Sequence, residues 1–239
     1  MHSAEIANGG NSMLPLIILA VAGCAMEAVF IVLEYQKRWL PALLTKGAAS
    51  LLFLLVGILA LRMAADAAYA WLILTGLLFG AVGDVCLNLR HLCGSRAKLV
   101  FMIGIAAFLI GHVCYIWALT ARMPGSLLYA VPACAVVSAA VIGFVLRRVN
   151  VEGTLKTFGI AYLAVVLLMA CLSVTLFIME PASRAYRLFA LGGLLFAASD
   201  VLLVLNQFGK RAYPAFRALN LSLYYVGQLC IAFTIVLLQ

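Results

Sequence analysis

The sequence is poor in charge. Of its 239 residues only 10% are Asp, Glu, Lys or Arg, and just eight are acidic, whereas 67% are hydrophobic and the mean hydropathy is +1.18. Soluble domains carry about 25% charged and ~45–50% apolar residues, so a water-soluble fold is excluded. Histidine is scarce as well: of His2, His91 and His112, the first lies in a polar N-terminal stretch and the second between apolar runs. That excludes the multi-histidine zinc centre of an intramembrane hydrolase, and neither metal nor cofactor is expected. The six prolines, Pro15, Pro41, Pro124, Pro132, Pro181 and Pro214, fall at or near the ends of apolar runs, so no mid-membrane helix break is signalled. The seven cysteines show no metal or redox spacing and read as small buried apolar residues.

What is present is a set of eight apolar runs, at 13–33, 40–61, 68–89, 98–120, 126–147, 153–178, 186–206 and 216–238. Each is long enough to cross the hydrocarbon core as a helix, where the backbone must satisfy its own hydrogen bonds. The expected fold is all-α: residues 1–12 as a disordered polar tail, then residues 13–239 as a single domain of eight transmembrane helices. The first run lacks a basic leader and a cleavage site, so it reads as a retained helix. The net charge of +8 does not point to nucleic acid, because the basic residues cluster in short loops. Eleven lie in the odd-numbered connections (Lys37, Arg38, Arg90, Arg96, Lys98, Arg147, Arg148, Lys156, Lys210, Arg211, Arg217) against four on the other side (Arg62, Arg122, Arg184, Arg187). By the positive-inside rule the first set is cytoplasmic, next to membrane lipid headgroups, and both termini are non-cytoplasmic. A bacterial inner membrane or the endoplasmic reticulum suits such a multi-pass protein; the oligomeric state is left open.

The chain also repeats. Asp84 precedes Gly111-His112-Val113-Cys114 by the interval that separates Asp200 from Gly227-Gln228-Leu229-Cys230, an offset of 116 residues. Four helices per unit make the two repeats parallel, related by an axis along the membrane normal. The two aspartates then become equivalents able to face each other.

An acid inside a spanning helix costs several kcal/mol and is by default a functional candidate with an inward partner. On helix 3, Gly76, Gly80, Asp84 and Asn88 share one face. Helix 7 aligns Gly192, Phe196, Ser199 and Asp200, with Asn206 further on. Helix 4 groups His112 with Tyr115, and helix 8 groups Asn220, Tyr224 and Gln228 beside Tyr225. Helix 1 adds Glu27, and helix 2 adds Lys46 with Ser50 one turn on. At about 1.5 Å rise per residue, Glu27, Lys46, Asp84 and Asp200 lie at related depth in the cytoplasmic half, and His112 and Gln228 deeper. Convergence on one cavity is expected, although any single polar pair could serve only to join helices, as Glu27 with Lys46 could. Tyr69, Trp71, Tyr129 and Tyr186 suit an interfacial belt; Glu34, Asp66, Glu152 and Glu180 suit solvated helix ends.

These residues resemble the pattern of the lysoplasmalogenase family of integral membrane proteins, also called the YhhN family. The resemblance rests on Lys46 in helix 2, Gly83-Asp84 in helix 3, His112 with Tyr115 in helix 4, Ser199-Asp200 with Asn206 in helix 7, and Tyr224-Tyr225 with Gln228 in helix 8. Many members have Pro soon after the helix 2 Lys, where this chain has Gly47. The resemblance implies hydrolysis of the vinyl ether bond of a lysophospholipid, the lysoplasmalogen, to a fatty aldehyde and glycerophosphoethanolamine or glycerophosphocholine. Such chemistry needs one carboxyl that gives a proton to the alkene and one carboxylate that steadies the cation and activates water. Asp84 and Asp200 are the expected catalytic pair, in an order the sequence leaves open. Lys46, Asn88, His112, Tyr115, Ser199, Asn206, Tyr224, Tyr225, Gln228 and Glu27 are expected to bind or support. The competing expectation is a transporter of lipids or small molecules, since parallel repeats with embedded acids also build substrate pathways.

Overall fold

The computed structural model describes the backbone of residues 2–123, 125–150 and 152–238, and the side chains of those residues apart from 2–12, 154 and 155. Among the described residues the apolar runs form eight helices: α1 His2–Tyr35, α2 Trp39–Leu61, α3 Ala67–Leu89, α4 Ala97–Thr120, α5 Leu127–Leu146, α6 Gly153–Met179, α7 Arg184–Phe208 and α8 Pro214–Leu237. All eight contain a stretch long and apolar enough to span a membrane; the 23 residues of α2 cover about 34 Å. The chain is therefore a multi-pass membrane protein. The backbone of α1 runs through the polar stretch expected as a disordered tail, whose side chains lie outside the described residues.

Local chemistry sets the ends. The Asp66 carboxylate accepts from the Tyr69 N–H and the Ser183 hydroxyl from the Tyr186 N–H, closing two helix starts. Pro214 begins α8, where no N–H is needed. Two prolines depart from expectation: Pro15 and Pro132 lie inside α1 and α5, and Pro124 lies outside the described residues. At Gly47, where many family members carry a nearby Pro, α2 runs on unbroken. Short turns of 3₁₀ helix at Arg90–Leu92 and Gly94–Arg96 join α3 to α4.

Within each half successive helices pack as neighbours, and the two halves join mainly through α2 against α8 and α4 against α6. Those two contacts exchange when the first four helices are swapped for the last four, as a parallel repeat requires. The same correspondence recurs in atomic detail. A methyl group added at Gly111 would stand 2.9 Å from the Gly76 carbonyl, and one added at Gly192 or Gly227 would stand 2.9 Å from the carbonyl of the other. Only glycine allows α3 to approach α4, and α7 to approach α8, this closely. Gly192 and Gly227 lie 116 residues after Gly76 and Gly111.

The outer surface is apolar. Leu14, Ile17, Ile18 and Val21 on α1 and Leu128, Val136 and Val137 on α5 are exposed, as suits helices that face lipid. Trp71 and Tyr129 are exposed near helix starts as an interfacial belt requires, but Tyr69 is not. Its ring is buried, its hydroxyl donates to Thr234 at 2.8 Å, and the Arg122 guanidinium lies over its face, because α3 turns it toward α8.

Candidate functional site

α2 carries Lys46 on its inner face, where the side chain is 1% exposed. A buried ammonium needs anionic partners, and the ones present are two acids. Its Nζ donates to both carboxylate oxygens of Glu27, at 2.8 and 3.0 Å, and lies 3.6 Å from Asp84 Oδ1. The rings of Phe30, Tyr224 and Tyr225 surround it, with centroids at 5.3, 4.6 and 5.8 Å, adding cation–π attraction in a dry site.

Asp84 is thus held from two helices, α2 and α8. Oδ1 faces Lys46, while Oδ2 accepts from the Ser50 hydroxyl at 2.5 Å and from the Tyr224 hydroxyl at 2.8 Å. Tyr224 belongs to a longer chain: Tyr115 donates to Gln228 Oε1 at 2.9 Å, and Gln228 Nε2 donates to the Tyr224 oxygen at 3.4 Å. Each donor in such a chain polarises the next, and the chain ends on the Asp84 carboxylate. Asn88 donates to the Asp84 backbone carbonyl at 2.9 Å.

Asp200 is held otherwise. Tyr162 donates to its Oδ2 at 2.6 Å, and among the described residues no Lys, Arg or His nitrogen lies within 4.0 Å of it. Next to it, Ser199 is tied to α8, with Asn220 Nδ2 donating to its carbonyl and its hydroxyl at 2.9 and 2.8 Å. His112 completes the floor of the site. Its Nδ1 lies 2.7 Å from the Phe108 carbonyl, which can only accept, so Nδ1 carries a proton. Nε2 is buried without a partner among the described residues, with the rings of Tyr115, Tyr162 and Phe196 edge-on to the imidazole.

A cavity of about 110 Å³ joins the two acids, room for a few waters or part of a slender ligand. Lys46, Asp84, Asn88, Ser199, Asp200 and Tyr224 line it, and it extends to Arg90 and Arg217 at the helix ends on the basic side. The expected convergence is therefore real for these six. Glu27, His112, Tyr115, Tyr225 and Gln228 stand behind the lining, where they fix it: Tyr225, for instance, donates to the Ala49 carbonyl at 2.8 Å. Asn206 is not brought in. It sits at the end of α7 and accepts from the Tyr213 N–H at 2.6 Å, which makes it a loop brace.

Three participants had not been selected from the sequence, Tyr162, Arg90 and Arg217, while Ser50 and Asn220 had been placed on the inner faces without a role. A signal for Tyr162 was present, since it lies 116 residues after Lys46, the same offset that relates the two aspartates. Ser50 follows Lys46 by one helical turn. The arginines carry no such signal, because loop cations look alike in sequence. Of the acids expected as solvated, Glu34 is instead held by Arg217 of α8, from which it accepts at 2.6 and 3.1 Å; Asp66 pairs with Arg122 yet keeps its side chain 43% exposed. Glu152 and Glu180 are exposed, as expected.

The sequence model of the YhhN family matches residues 41–235. The chain belongs to the YhhN family. No curated protein and no solved structure matches it significantly. The stretch matched to the YhhN family starts two residues into α2 and ends inside α8, so it contains every residue lining the cavity. Glu27, the second acid on Lys46, lies outside it.

Proposed function

We propose that this protein is a membrane hydrolase that cleaves the vinyl ether bond of lysoplasmalogens, releasing a fatty aldehyde and glycerophosphoethanolamine or glycerophosphocholine. The observation that carries this reading is the pair of aspartates on one small cavity in unlike surroundings. Membership of the YhhN family is consistent with it.

The surroundings suggest which acid does what. Asp84 faces an ammonium and accepts from two hydroxyls, a set of donors that only a carboxylate uses fully. Asp200 has one phenol and, among the described residues, no cation within ion-pair distance, so the role of proton donor is assigned to it. In the proposed reaction Asp200 gives a proton to the alkene carbon remote from the ether oxygen, the one that bears the alkyl chain, and the ether oxygen shares the positive charge left on the carbon attached to it. The Asp84 carboxylate steadies this oxocarbenium ion and takes a proton from the water that adds to it. The hemiacetal collapses to aldehyde and glycerol hydroxyl, and proton transfer from Asp84 to Asp200 restores the starting state. Water is consumed, and no electrons are gained or lost.

An apolar pocket of about 40 Å³ lined by Ile142, Val145, Leu163 and their neighbours shares Gly159, Val204 and Phe208 with the cavity. The alkyl chain is assigned to this pocket, whose lining comes mainly from α5, α6 and α7. The basic rim is assigned to the cytoplasmic side on the positive-inside rule.

The test is release of long-chain aldehyde from a lysoplasmalogen by detergent-purified protein, with Asp84→Asn and Asp200→Asn alongside. Each substitution should lower turnover by about 10²–10⁴-fold. Near-wild-type turnover in either variant removes that residue from its role. A transporter would bind the lipid and release no aldehyde.

A further inference from the structure

The basic rim of the cavity holds two arginines in different states. Arg90, at the end of α3, lines the cavity with its guanidinium 4.7 Å from the Phe101 ring centroid, and among the described residues no carboxylate lies within 4.0 Å of it. Arg217, in the first turn of α8, also lines the cavity, but Glu34 of α1 holds it with two hydrogen bonds at 2.6 and 3.1 Å. A third bond, at 3.2 Å, runs from Arg217 to Asn220 Oδ1, and Asn220 in turn grips Ser199, the neighbour of Asp200.

A guanidinium stacked on an aromatic ring keeps its edge N–H groups free, and a planar fork of donors matches the oxygens of a phosphate. Glu34 presents to Arg217 the paired oxygens that a phosphate would present. The geometry points to an anion subsite for a phosphate group, formed by Arg90 and Arg217, in which Glu34 fills the Arg217 half until the ligand displaces it. The inference rests on the hydrolase reading for the identity of the ligand, a single-chain lipid whose phosphate stops at the rim while its ether oxygen reaches the aspartates. The Arg217, Asn220 and Ser199 contacts then couple headgroup capture to the position of Asp200.

The shared chemistry is a phosphate, which could arrive on a lipid headgroup or as the free ion. Binding without turnover separates these cases. In neutral detergent, affinity is measured for hexadecylphosphocholine, for uncharged hexadecylglycerol and for inorganic phosphate, in the wild type and in Arg90→Gln, Arg217→Gln, Arg217→Lys and Glu34→Gln. Arg90→Gln and Arg217→Gln should each weaken hexadecylphosphocholine about tenfold, a loss of one charge-assisted contact, and leave hexadecylglycerol within about twofold. Arg217→Lys should recover part of the loss, and Glu34→Gln should tighten binding. Competition by inorganic phosphate marks a site for the ion itself; competition by the lipid analogue alone marks a headgroup site, and either supports the subsite. Equal losses for charged and uncharged analogues, or no loss in Arg90→Gln, overturn it. Among the described residues Arg90 makes no ion pair that its removal would break, so that variant keeps the test valid if Arg217→Gln misfolds. Arginine-dependent binding without aldehyde release would sink the hydrolase reading and leave the subsite standing; aldehyde release without arginine dependence would do the reverse.

Discussion

The two halves of the bundle hold corresponding aspartates in opposite ways. At the 116-residue offset, Lys46 corresponds to Tyr162, Ser50 to Val166, and Tyr224 to Phe108. Around Asp84 the three positions are an ammonium, a hydroxyl and a phenol, all turned toward the carboxylate. Around Asp200 they are one phenol and two side chains with no hydrogen to give. The same backbone plan therefore gives two carboxyl groups unlike partners, and the proposed division of acid and base roles rests on that difference. A repeat with identical partners would place two like groups in one dry cavity, which is of no use to a reaction that needs an acid and a base together.

The largest test of this comparison is Lys46→Met. It would leave Glu27 and Asp84 buried without their cation, and removing one partner of a buried pair costs about 3–5 kcal/mol. Unfolding in mixed detergent should register that loss, and adding Glu27→Gln should recover part of it. A loss below about 1 kcal/mol would place Lys46 outside the support of Asp84.

A sharper comparison comes from the two phenols. Tyr224→Phe removes a bond to a charged carboxylate and should cost about 1.5–3 kcal/mol, whereas Tyr162→Phe removes a bond to a neutral one and should cost about 0.5–1.5. The reverse order in unfolding experiments would exchange the assigned states of the two aspartates.

The smallest effect belongs to Asp66, an acid outside the membrane that sets the floor for the other two. Its carboxyl is held below the usual range, first by the hydrogen bond from the Tyr69 N–H and then by Arg122, against some opposing desolvation. A depressed value means its stabilisation is complete above about pH 4 and is lost as pH falls through the folded value. Asp66→Asn keeps the cap and removes the charge. Its side chain is 43% exposed, so at neutral pH it should cost under about 1 kcal/mol, and the difference from wild type should vanish in acid.

How much of the site could be read in advance varies with the residue. Asp84, Asp200 and Lys46 stood out because charge in an apolar run is expensive wherever the run packs. The helix 3 face of Gly76, Gly80 and Asp84 was equally legible, since a 3.6-residue period places those positions together whatever the partner helix. Tyr162 was legible only through its place 116 residues after Lys46, because a tyrosine within an apolar helix is unremarkable until α6 is seen to turn it toward Asp200. Asn206 misled for the opposite reason: a polar residue on the right helix lies two turns beyond the site and braces a loop. Glu34 and Arg217 are 183 residues apart, and no local pattern links them.

By itself the sequence determined the membrane class, the eight spans, the repeat and the cost of each buried charge. Those follow from local rules: a backbone in lipid must close its own hydrogen bonds, and a charge there must find a partner. Which partner it finds was decided only by the tertiary structure. The donors to Asp84 come from α2 and α8 and the donor to Asp200 from α6, so their meeting depends on how far the helices approach and turn. Close approach at Gly76, Gly111, Gly192 and Gly227 draws each aspartate-bearing helix against its neighbour, and the packing of α2 on α8 and α4 on α6 brings the halves together.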